Sequence, residues 1–146
     1  MDKIDRAILG ILAEEGRISL RELGERVHLS ANTVGERVRK LQERGVIRGF
    51  HARLDAAALG LSLHAQVEVK LRPDTRAADF EAAIRHIPGV VDAFLITGAN
   101  DYVLRLACRD QADLVRVVEA LRAEAGVLDT RSGVILREIP VGPLPL

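Results

Sequence analysis

Apolar positions in the first 50 residues recur with helical spacing. Ile4, Ile8, Ile11 and Leu12 form one stripe, with Asp2 placed to cap it and Gly16 to end it. Leu20, Leu23 and Val27 form a second, introduced by Ser19-Leu20-Arg21-Glu22, a capping box with Ser at N-cap and Glu at N3. Val34, Val38 and Leu41 recur at i, i+4 and i+7 and predict a third helix. Ser30 is its N-cap, and Gly45 its stop, because a C′ residue often needs positive φ. His28-Leu29 is then a tight connection between two short helices, a helix-turn-helix pattern. Ile18 and Val46–Leu54 read as the small strands of a winged variant.

After residue 50 the spacing changes. Residues 51–60 are a connector broken at Gly60, and Leu61–Leu71 alternates strictly, as a strand does. Ala77–Ile87 reads as a helix with Phe80, Ile84 and Ile87 inward, stopped by Pro88-Gly89. Val90–Thr97 and Tyr102–Arg109 form a hairpin. Asp110 caps a helix with Leu114, Val117, Val118 and Leu121 on one face, Gly126 ends it, and Leu128–Ile139 is a last strand. The order βαββαβ is the ferredoxin-like arrangement. The fold class is therefore α+β: a winged helix-turn-helix domain over residues 1–50, the connector, and a ferredoxin-like domain over 61–146. Both helices would cover one sheet face, yet VVDAFLI and GVILREI are apolar toward both. A one-sided antiparallel sheet should alternate cleanly, so the second face is expected to be partly buried against another subunit. The tail PVGPLPL cannot continue a strand, because its prolines lack N–H donors.

Charge sharpens the first domain's reading. The chain has 21 basic and 21 acidic residues, yet residues 1–53 hold eleven basic against eight acidic ones and the remainder ten against thirteen. From Arg37 to Arg53 six cations (37, 39, 40, 44, 48, 53) face one acid, Glu43. On the third helix, Thr33, Arg37, Lys40 and Arg44 fall on one flank of the apolar stripe, while Asn32 and Arg39 point away from it. With Ser30 at the helix start, these amide, hydroxyl and cationic groups suit base edges and phosphates of double-stranded DNA. Gly35 fits less well, since Gly inside a helix costs about 1 kcal/mol against Ala.

In the second domain, Thr97, Gly98, Asn100, Asp101 and Tyr102 join the two central strands. Backbone N–H groups at Gly98 suit a carboxylate, Asp101 an ammonium, and Thr97 or Asn100 orienting hydrogen bonds: complementary ends for an amino acid. Thr130 and Ser132 on the last strand are further candidates. The same Gly-Asn-Asp cluster also makes an ordinary hairpin turn.

Other chemistry is lacking. The four histidines have no metal-ligand spacing, and no phosphate loop or nucleophile elbow occurs. The single cysteine, Cys108, excludes a disulfide framework and reads as buried. No enzyme activity, metal or cofactor is expected. No apolar run is long enough to span a membrane, and the charged amphipathic start is unlike a signal peptide, so the cytoplasm is the expected compartment.

These segments resemble the leucine-responsive regulator/AsnC (Lrp/AsnC, feast-famine) family of prokaryotic transcription factors. The likeness rests on DKIDRAILGILAEEGRIS, LSANTVGERVRKLQERGVIRGFHARLDAAALG and IPGVVDAFLITGANDYVLRLACRD, and covers nearly the whole chain. It implies a DNA-binding transcriptional regulator that answers an amino acid or related metabolite at a subunit interface. It also implies dimers that assemble further, often to octamers, with effector pockets between dimers. Gly98, Asp101 and Tyr102 match the family's effector loop; Asn100 is a neighbour, and Thr130 and Ser132 are carried over from the last strand. The alternative is an amino-acid-sensing oligomer that acts mainly through a protein partner.

Overall fold

The Asp2 carboxylate accepts from the Asp5 N–H at 2.8 Å, and the Asp5 carboxylate accepts in return from the Asp2 N–H at 3.2 Å. Two donors left free at a helix start are thereby met at once. They open α1 (Lys3–Glu14), the first element of a computed structural model that describes residues 1–139 and 142. The chain divides into two units, one built on Met1–Arg53 and one on Leu54–Glu138.

In the first unit, α2 (Leu20–Val27) is capped by Ser19 Oγ, which accepts from the Glu22 N–H. The return half of that box is not made, because the Glu22 carboxylate turns to Arg26 instead. α2 ends at His28, whose φ of +57° is a left-handed conformation more usual for Gly or Asn. α3 (Ala31–Glu43) is capped by Ser30 Oγ and closed at Gly45, φ +69°. Ile8, Leu23, Val34, Val38 and Leu41 form the core, so each helix buries part of its stripe. The expected wing strands are absent among the described residues. The N–H groups of Val46 and Ile47 return to the Leu41 carbonyl, and that of Ile18 to Glu15, so donors a ladder would need close helix ends instead.

The second unit runs β1 (Leu63–Leu71), α4 (Ala77–Ile84), β2 (Val90–Leu95), β3 (Tyr102–Cys108), α5 (Gln111–Glu124) and β4 (Val127–Ile135). All pairings are antiparallel in the order β2-β3-β1-β4, the ferredoxin-like sheet. α4 stops short of Ile87: His86 and Ile87 bond three residues back in a turn that prepares Pro88-Gly89. β4 ends at Ile135 rather than Ile139, because His64, its last partner, stands at the start of β1.

Alternation in β1 sets the faces. Ala65, Val67 and Val69 turn inward and are buried with Phe80, Tyr102, Leu104, Leu106, Val117 and Leu121. The opposite face is mixed rather than apolar: His64, Glu68, Lys70, Asp92, Arg105 and Arg131 share it with Phe94, Val103 and Ile135. Leu95 and Val134 explain the apolar look of both edge strands. They lie on the helix side, in register with buried residues, yet are 70% and 54% exposed at the far ends of the two edge strands. Cys108 is fully buried, and burial pushes its thiol up. The Pro-rich tail, apart from Gly142, lies outside the described residues.

Candidate nucleic-acid interface and effector loop

α3 is seated by Val34, Val38 and Leu41, all buried, which turns its polar flank outward. Asn32, Lys40 and Arg44 are exposed and, among the described residues, engage no side-chain partner. Thr33 and Ser30 share a hydroxyl hydrogen bond of 2.8 Å, and Arg39 pairs with Glu43 one turn on. Along this flank runs a groove of about 300 Å³ lined by Thr33, Glu36, Arg37, Lys40 and Arg44 over Leu41 and Asp5. Arg37 differs from its neighbours. Its Nη1 donates at 2.7 Å to both Asp2 and Asp5, and its side chain is only 29% exposed. The capping N–H of Asp5 and the guanidinium hold the Asp2 carboxyl below its ordinary range; for Asp5 the guanidinium is the main cause.

Two glycines shape this unit. A Cβ on Gly24 would stand 2.6 Å from the Leu29 carbonyl oxygen, so the turn between α2 and α3 crosses α2 where only a hydrogen fits. Gly35 is less demanding: a Cβ there would meet only the tip of the exposed Leu20 side chain, at 3.3 Å.

In the second unit the loop candidates separate across the sheet. Thr97, Gly98 and Ala99 form an exposed tip, with Gly98 at φ +125°. Asn100 Nδ2 donates to Glu68 at 2.7 Å. The Asp101 carboxylate accepts from the Leu71 N–H at 2.8 Å and from Lys70 at 3.1 Å, and the Asp101 N–H donates to the Val69 carbonyl. The Leu71 N–H above all, aided by Lys70, holds its carboxyl below the usual range against partial desolvation. Asp101 thus clips the loop to the end of β1. Asn100, Asp101, Glu68 and Lys70 come together.

Tyr102, Thr130 and Ser132 belong to the helix side, in register with Val69 and Val67. The Tyr102 ring packs 4.5 Å from Phe80, and its hydroxyl donates to Glu81 at 2.7 Å. Burial and that carboxylate push its phenol up to about 12. Thr130 accepts from Arg122, while Ser132 stands exposed. Glu68 and Lys70 were not singled out from sequence, although the alternation of β1 places both on one face. Among the described residues no His, Cys, Asp and Glu grouping suits a metal, and no helix is long and apolar enough to cross a membrane.

The AsnC-type helix-turn-helix domain matches residues 1–42, and the Lrp/AsnC ligand binding domain matches residues 64–143. The chain belongs to the Lrp/AsnC family of transcriptional regulators. Among its relatives is the HTH-type transcriptional regulator AldR of Mycolicibacterium smegmatis, 41% identical over 95% of this chain and 83% of that protein. The leucine-responsive regulatory protein of Salmonella typhimurium is 37% identical over 95% of this chain and 87% of its own length. Solved structures of transcriptional regulators resemble it over most of the chain. A Neisseria meningitidis regulator in complex with L-methionine has a TM-score of 0.89 at 35% identity, covering 96% of this chain and 92% of the other. The feast or famine regulatory protein of Mycobacterium tuberculosis complexed with L-methionine reaches 0.92 at 34% identity, covering 99% of both. The curated relatives of this Lrp/AsnC chain are regulators, not enzymes.

Proposed function

We propose that the protein is a sequence-specific DNA-binding regulator whose assembly or DNA affinity responds to an amino acid. The observation that carries the first half is α3: three buried valine and leucine side chains seat it, Thr33, Lys40 and Arg44 line one groove, and Asn32 stands exposed beside it. Cations neutralise phosphates, and amide or hydroxyl groups read base edges. Ser30 and Arg39 flank that surface. A homodimer would set two such helices in successive major grooves, about 34 Å apart, on a pseudo-palindromic site.

The loop 97–101 supports the second half. Its tip offers backbone N–H groups to a carboxylate, Asp101 and Lys70 hold its shape, and Glu68 adds an acid for an ammonium. Thr130, Ser132 and Tyr102 lie across the sheet and would serve a ligand only through a neighbouring subunit, which favours a homo-oligomer, a homodimer that assembles further to an octamer included. Such a ligand can shift the regulator only by binding one assembly more tightly than another.

The test is DNA affinity against salt, with and without L-methionine and each other amino acid. Binding that weakens steeply with salt supports the DNA reading, with Lys40→Ala and Arg44→Ala each lowering the log–log slope by about 0.9. Absence of salt-dependent binding favours instead a sensing module that works through a protein partner. If no amino acid raises the melting temperature or changes DNA affinity, the effector reading fails on its own.

A further inference from the structure

We propose that Arg37 is a positioning residue of α3 and not one of its DNA contacts. This rests on the DNA reading above. Its place on the basic flank, between Thr33 and Lys40, would ordinarily count it among the phosphate contacts. Its bonds say otherwise. Asp2 uses one carboxylate oxygen to accept from the Asp5 N–H at 2.8 Å and the other to accept from Arg37 at 2.7 Å. Asp5 does the same in mirror fashion, with the Asp2 N–H at 3.2 Å and Arg37 at 2.7 Å. All four oxygens have a partner. The cap that starts α1 is therefore also the socket that holds the middle of α3.

For Arg37 to reach a phosphate it would have to leave both carboxylates, one of them buried, with no cation to replace it among the described residues. Asp5 is the better shielded of the two, its side chain 13% exposed against 53% for Asp2, so its charge is the one that most needs the guanidinium. Lys40 and Arg44 carry no such tie. The socket also does what an apolar stripe does poorly. Valine and leucine contacts tolerate a small roll of α3 about its axis, whereas a guanidinium held by two carboxylates does not. That roll sets where Asn32, Thr33, Lys40 and Arg44 point.

The acids make the decisive test, because the two readings predict opposite signs. The double variant Asp2→Asn/Asp5→Asn removes two negative charges beside the DNA-facing helix. Its amide oxygens still accept from backbone N–H groups, so α1 keeps its cap. The probes are a duplex enriched from a randomised library on the unaltered protein and a mixed-sequence duplex, each titrated at several salt concentrations. Positioning predicts that the acid variant binds the enriched duplex about tenfold more weakly despite its added positive charge. It predicts that Arg37→Gln loses a similar factor and that combining the changes loses little more. It also predicts that the salt slope of Arg37→Gln equals that of the unaltered protein, while Lys40→Ala lowers it by about 0.9. Tighter or unchanged binding by the acid variant overturns the proposal, as does a slope lowered by about 0.9 in Arg37→Gln. Should Arg37→Gln lose its helical circular dichroism, the sign of the acid variant alone decides. An unaltered protein with no salt-dependent affinity for either duplex overturns the DNA reading and this proposal together.

Discussion

The Leu29 N–H donates to the Gly24 carbonyl at 2.9 Å, while the Leu29 carbonyl oxygen lies 2.6 Å from where a Cβ on Gly24 would stand. The turn of the helix-turn-helix therefore lies against the backbone of α2, and a side chain cannot enter without moving that turn. Gly24→Ala is expected to destabilise the first unit by about 1–3 kcal/mol, overpacking outweighing the gain in helix propensity. Gly35→Ala is the control. Its only neighbour is the mobile tip of Leu20, so a propensity gain of up to about 1 kcal/mol is offset only by a small side-chain shift. Denaturant unfolding followed by circular dichroism checks both. Equal effects at the two glycines would sink this account of the turn.

That contrast marks what was legible in the sequence. Spacing shows which face of one helix is apolar, and so it located the five helices of the described residues and the caps at Asp2, Ser19, Ser30 and Asp110. It says nothing of what stands opposite. Arg37 reads as a solvated cation until Asp2 and Asp5, 35 and 32 residues away, are brought to it. Asp101 reads as a free acid until the end of β1 arrives beside it. Gly24 reads as an ordinary helix residue, because its reason is a tertiary one. Val46–Leu54 reads as strand, but the N–H groups of Val46 and Ile47 are spent on the Leu41 carbonyl.

Asp101 is expected to matter even without ligand. Asp101→Ala leaves the Leu71 N–H without its acceptor, which should cost about 1–2 kcal/mol in amino-acid-free buffer. A residue serving ligand alone would leave that stability unchanged. The pH dependence has a definite sign. A carboxyl with its folded value depressed stabilises the fold above the ordinary value of 3.8 and ceases to do so as pH falls through the depressed value. The stability of the second unit in Asp101→Ala should therefore fall less steeply than in the unaltered protein as pH drops from 3.8 toward that depressed value.

Tyr102 offers a direct optical check, because the chain has one tyrosine and no tryptophan. Its phenolate absorbance should rise only near pH 12 in the folded protein and at about 10 in denaturant. A folded value raised in this way stabilises the fold below pH 10, and that contribution is lost as pH climbs from 10 toward 12. Tyr102→Phe keeps the ring on Phe80 but removes the hydroxyl donor to Glu81, an expected loss of about 1 kcal/mol. A titration midpoint at 10 in the folded state would contradict this environment.

Phe94 tests self-association. It stands 56% exposed on the mixed outer face of edge strand β2, paired with the partly exposed Val103 of β3. Adjacent apolar side chains left open at a sheet edge are a common mark of a protein contact surface. Because Phe94 contributes no buried area within the chain's own core, Phe94→Ser should leave the melting of a separated subunit nearly unchanged. If a second copy covers that ring, the substitution should weaken assembly by about 2 kcal/mol, roughly a thirtyfold change in dissociation constant. Sedimentation equilibrium over a range of concentrations reads this as a lower mean mass at matched concentration. An unaltered mass across the series would remove the outer face of β2 from the assembly and leave the uncovered helix-side edges, at Leu95 and Val134, as the surface to substitute next.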